Sequence, residues 1–183
     1  MLCHASESIL VSIDTQTRLA AAMPEAAGGR VINNSGILLQ AAALLNIPVL
    51  VTEQYPKGLG KIEPGVARHL PAQVHHFEKT CFSCCGAAGF MDVVRGLARR
   101  HVVLAGMETH VCVLQTALEL KDAGNRVFVV EDAVCSRTEA NHHNALARLR
   151  QAGVIVSNSE SVLFEWLRDA SHAQFKQISA LIR

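Results

Sequence analysis

Six short apolar runs, each separated from the next by a helical or turn-rich stretch, restrict this chain to one fold class. The runs are "SILVSID" (Ser8 to Asp14), "VLVTEQ", "VHHFEK" (Val74 to Lys79), "HVVLAG", "RVFVVED" and "VIVSN". "VVLAG" and "VFVV" are apolar on both faces of a strand, so both faces need covering. "VINNSGILLQAAALLNI" (Val31 to Ile47), "FMDVVRGLARR", "HVCVLQTALELKDAG" and "TEANHHNALARLRQAG" read as helices. Gly124 and Gly153 supply C-terminal caps and Thr138 an N-cap. "YPKGLGKIEPGVARHLP" reads as a loop with room for one helical turn. Two short helices, "ESVLFEWLRD" and "HAQFKQISALIR", close the chain. The alternation predicts a three-layer α/β/α domain with a six-stranded, mostly parallel sheet, filling residues 1–183 as one unit.

Composition narrows the function classes. Half of the 183 residues are apolar and 4% aromatic, so Ala, Leu and Val build the core. A net charge of +1 without a charged block advertises neither nucleic acid nor a membrane surface. No apolar run approaches the roughly 20 residues that cross a bilayer. "MLCHASESILVSIDTQ" lacks the pattern of a secretory leader. The expectation is a cytoplasmic protein whose six cysteines stay reduced.

In parallel α/β sheets, ligands sit at the carboxyl ends of the strands. Asp14 ends the first strand, Glu53 and Gln54 the second, and Lys79 the third. Met107 and Glu108 follow the fourth, Cys112 opens the next helix, and Asp132 follows the fifth. An acid, a lysine and a thiol thus converge on one rim. Only a thiolate attacks well, and a helix N-terminus and a nearby ammonium both favour it. Asp14 is a candidate to take the thiol proton, and N–H groups of "METHVC" to cradle an oxyanion. Each residue also has a plainer reading: Cys112 as core filling, Asp14 as a turn cap, Lys79 as a solvated strand end.

"LVSIDTQ", "HHFEKTCFS" and "LAGMETHVCVLQTALEL" together resemble the isochorismatase-like cysteine hydrolases, a family that includes nicotinamidases. The resemblance runs from Ser8 to about Ser159. It implies Asp14 as general base, Lys79 as electrostatic partner and Cys112 as nucleophile. It further implies a cis Met107–Glu108 peptide, an oxyanion cradle from the N–H groups of Glu108 and Cys112, and a homo-oligomer. The nicotinamidase pattern carries an Asp-x-His pair after the second strand to hold a metal. Here that stretch reads "TEQYPKGLG". No metal and no other cofactor is therefore expected, and nicotinamide is not expected to be the main substrate. Gln54, Tyr55, Phe82 and Met107 are the candidate substrate contacts.

The expected activity is metal-independent hydrolysis of a small molecule at an amide-type C–N bond, through a thioester on Cys112. A non-catalytic binding or scaffold protein of the same fold is the alternative. Cys81, Cys84 and Cys85 raise a third reading, thiol redox chemistry. No second well-spaced pair accompanies them for zinc, and His75 and His76 face opposite sides of a strand.

Overall fold

Every apolar run forms a strand, and all six strands pair in parallel. In the computed structural model, which describes Met1–Arg183, these are β1 (Ser8–Ile13), β2 (Val49–Gln54), β3 (Val74–Lys79), β4 (His101–Met107), β5 (Arg126–Cys135) and β6 (Ile155–Ser157). The order is β3-β2-β1-β4-β5-β6. The chain winds outward from β1 to β3, then returns to the other side of β1. The switch point, where such folds bind ligands, therefore lies between β1 and β4.

Side-chain alternation along β1 separates two cores. Ile9, Val11 and Ile13 pack with Phe90, Leu120 and Leu149. Those partners come from or adjoin α5 (Phe90–Gly96), α6 (Leu114–Asp122) and α7 (Glu139–Gln151). Leu10 faces the opposite side, with Leu38, Phe128, Trp166 and Ile178. That layer is α2 (Glu25–Leu44), α8 (Ser159–Leu167) and α9 (Phe175–Ala180). The indole of Trp166 donates to Ser8 Oγ at 3.0 Å, so its one polar atom is satisfied inside the core. No helix is long and apolar enough to cross a membrane.

Several elements depart from the sequence expectation. α2 starts at Glu25, not Val31, and runs through Gly28 and Gly29. The poor helix propensity of glycine is overridden here by packing, because Gly28 lies under Met23. The loop after β2 holds two helical turns, α3 (Pro56–Leu59) and α4 (Pro64–Ala67), each begun by a proline whose missing N–H costs nothing there. A further short helix, α1 (Thr17–Ala21), follows β1. β5 continues to Cys135 because its register with β4 shifts between Leu104 and Gly106. Residues Thr109–Val113 form a wide π-type turn ahead of α6. Thr138 caps α7 as expected, accepting from the Asn141 N–H at 3.3 Å.

Gly106 sits beside Ile13 in the β1–β4 pairing, with φ +124. A Cβ there would collide with the Ile13 backbone carbonyl. This contact sets how closely the two switch-point strands approach.

Candidate active site

Asp14 is the first residue past β1, fully buried, with φ +48. Its N–H donates to the Thr52 carbonyl at 3.1 Å. The Thr52 hydroxyl donates to Asp14 Oδ1 at 2.6 Å, and Lys79 Nζ to Oδ2 at 2.6 Å. Lys79 Nζ also reaches Gln54 Oε1 at 2.7 Å and the carbonyls of Phe82 and Cys81 at 3.0 and 3.3 Å. Neither side chain of the ion pair is exposed. Burial opposes the lysine charge, but attraction to the Asp14 carboxylate and the hydrogen bond to it help raise its pKa above the usual range. The ammonium is thus fixed in place and permanent.

Cys112 lies inside the wide turn, 5% exposed, with its thiol within reach of the Asp14 charge. Burial pushes its pKa up strongly and the Asp14 charge adds to this, outweighing the pull of Lys79. The sequence suggests a thiolate at a helix start; the folded site instead favours a neutral thiol, because burial and the Asp14 charge together outweigh the ammonium. The Met107–Glu108 peptide is cis. The Glu108 N–H makes no backbone hydrogen bond. Its carboxylate turns to Arg137, accepting from the backbone N–H at 2.9 Å and lying 3.1 Å from Nε.

A cleft of about 310 Å³ opens over Cys112, bordered by Arg18, Leu19, Ala22, Gln54, Leu59, Phe82, Glu108, Val111 and Arg137. Of the four candidate substrate contacts, Gln54 and Phe82 border this cleft. Tyr55 and Met107 do not. Tyr55 is exposed beside a separate depression with Lys57 and Thr80, its ring over Gly58. Met107 is fully buried with Met23, Val31 and Cys135, because the last side chain of β4 points into the α2 side. Leu59 reaches the cleft because the loop is pinned from below. Gln16 Nε2 donates to the carbonyls of Gly60 (2.6 Å) and Gln54 (3.0 Å), and buried Glu53 accepts from the Ile62 N–H at 2.8 Å.

Thr52, Arg18 and Arg137 carry no signal in the linear sequence. Thr52 becomes visible only with the strand register, which sets it opposite Ile13. Cys84 is fully buried, its thiol 3.8 Å from Thr52 Oγ1 and its N–H bonded to Thr116 Oγ1 at 2.9 Å. Cys81, Cys84 and Cys85 are unpaired thiols. No three His, Cys, Asp or Glu side chains lie in a metal-holding arrangement. His110 Nδ1 is 2.9 Å from Ser136 Oγ.

Removing the ammonium should be costly, since it would strand a buried carboxylate. Lys79→Met is expected to lose about 3–5 kcal/mol of stability in urea denaturation. The double variant with Asp14→Asn should recover most of that. Equal losses in single and double variants would show that the pair is not the cause.

Fold and cluster together define a doubly wound α/β protein whose switch point holds a buried carboxylate, ammonium and thiol. Residues 8–161 match the isochorismatase domain family. Isochorismatase domain-containing protein 2 of Bos taurus is 41% identical over 155 residues, which is 84% of this chain and 74% of that protein. MAR1 ribonuclease from Caenorhabditis elegans superposes with a TM-score of 0.94 at 36% identity, covering 100% of this chain and 92% of that one. The YcaC gene product of Escherichia coli, described as an octameric hydrolase of unknown specificity, shares the fold (TM-score 0.91, 23% identity, 100% and 89% covered). This chain belongs to the isochorismatase-domain family, whose members are generally hydrolases.

Proposed function

We propose that this protein is a metal-independent cysteine hydrolase of small molecules, cleaving an amide-type C–N bond through a thioester on Cys112. The observation that carries the reading is the buried Lys79–Asp14 ion pair, whose charges act on the Cys112 thiol at the floor of a cleft. A neutral thiol must lose its proton as it attacks, and Asp14, whose charge acts on this thiol, is the carboxylate to accept it. The sulfur bonds to the carbonyl carbon and the C=O electron pair moves to oxygen. The N–H groups of Glu108 and Cys112 receive that oxyanion. Collapse breaks the C–N bond, and protonated Asp14 returns its proton to the leaving nitrogen. Water then attacks the thioester, giving a proton to Asp14. The acid leaves and the proton passes to the sulfur. Thr52 and Lys79 hold the two Asp14 oxygens throughout, so the base keeps one orientation.

Six unpaired thiols suit a reducing compartment such as the cytoplasm. Self-association belongs to the same reading, as in the octameric Escherichia coli protein.

The test is a panel of primary amides, carbamoyl compounds and esters, plus a short RNA because the Caenorhabditis elegans neighbour is described as a ribonuclease. Turnover with an acyl mass on Cys112 is expected. Absence of both across the panel, with ligands still binding, would favour the non-catalytic alternative. Iodoacetamide labelling supplies a second check. The Cys112 pKa is raised, so its labelling rate should still climb with pH beyond the free-thiol range of about 8.5. A plateau below pH 8 would contradict the neutral thiol.

A further inference from the structure

Two of the polar side chains bordering the Cys112 cleft are cations with several donors to spare. Gln54 is largely committed: its Oε1 accepts from Lys79 at 2.7 Å and one N–H of its Nε2 donates to the Thr80 carbonyl at 2.7 Å, leaving a single uncharged donor. The Glu108 carboxylate is taken by Arg137. Arg18 and Arg137 each use one edge of the guanidinium on the protein. Arg18 Nη1 donates to the Gly58 carbonyl at 2.8 Å, and Arg137 uses Nε on Glu108 at 3.1 Å. A guanidinium has five N–H donors, so most remain free on both.

Topology sets these two cations on either side of the nucleophile. Arg18 follows β1 and Arg137 follows β5, while the turn bearing Cys112 follows β4, the strand between them. Two guanidinium groups against one carboxylate leave the mouth of the cleft positive. Much of the remaining wall is apolar. Weak hydration and a planar fork suit such groups to bidentate contact with an oxyanion such as a carboxylate.

We infer that the substrate is a small amide bearing a carboxylate, which Arg18 and Arg137 hold at the mouth of the cleft while its carbonyl meets Cys112. This rests on the hydrolase reading above. The apolar wall then takes the short hydrocarbon spacer between the two groups, and the cleft volume keeps that spacer short.

The experiment separates binding from turnover. In Cys112→Ala protein, calorimetry compares the ω-amides succinamate, glutaramate and adipamate with chain-matched neutral amides such as hexanamide. A charge-assisted contact predicts about 10-fold or tighter binding of at least one carboxylate. That preference should shrink with added salt and vanish in Arg18→Met. Arg137→Met is the second variant, with its melting temperature recorded because Arg137 also holds Glu108. No preference anywhere in the series, or no binding at all, overturns the inference. So does equal turnover of charged and neutral amides by the wild type, which would leave the hydrolase reading standing. Preferential binding without any wild-type turnover would support the ligand class and sink the hydrolase reading instead.

Discussion

Cys112→Ala should lower kcat on any genuine substrate by about 10⁴- to 10⁶-fold while leaving a folded protein. The change removes a single sulfur from a residue at the edge of the core and adds no atom to the site. Asp14→Asn should fall by a similar factor, since an amide cannot accept the thiol proton. Nucleophile and base act as a unit, so the double variant should be no slower than either single one. Rapid-quench turnover combined with intact mass distinguishes the steps: neither variant should accumulate an acyl adduct. Full turnover by Cys112→Ala would end the proposed mechanism. Losses that multiply in the double variant would mean that Asp14 does not serve Cys112.

Gly106→Ala should prevent folding or cost at least about 4–5 kcal/mol. Two independent penalties meet at this residue. Its φ of +124 is a conformation that side chains rarely adopt, and the new methyl would overlap the Ile13 carbonyl. Neither strand can yield, because β1 is paired on both sides, with β2 and with β4. Gly89→Ala is the control. Gly89 also has positive φ, +78, but open space around its Cβ position, so only the backbone cost of about 1–2 kcal/mol applies. Soluble yield and urea melts read both. A Gly106→Ala protein as stable as the Gly89→Ala protein would refute the close-approach argument.

The strands were legible because their apolar runs are short, bounded by turn residues and too uniform for one-sided burial. Asp14, Lys79 and Cys112 were legible for a related reason: each ends a strand or follows one, and parallel topology sends all strand ends to one rim. What the sequence hid depends on register and on loop path. Thr52 looks like any strand threonine until the β1–β2 pairing sets it against Asp14. Arg18 and Arg137 lie about 120 positions apart, and only the strand order brings them to one cleft. The extent of α2 was hidden by Gly28 and Gly29 in its first turns, and the placement of Tyr55 by a left-handed backbone, φ +36, just before α3. The state of the thiol was hidden most deeply, because it turns on how far the fold buries Cys112 and how close it brings the Asp14 charge.

The ring of oxygens around Lys79 has a consequence for assembly. One nitrogen draws on the end of β1 through Asp14, the end of β2 through Gln54, and the turn beyond β3 through Cys81 and Phe82. No partly folded chain lacking any of these segments can present the proposed base correctly. Under the proposed mechanism, catalytic competence is a property of the finished sheet edge, and regain of activity would report the docking of three separate parts of the chain onto a single charge.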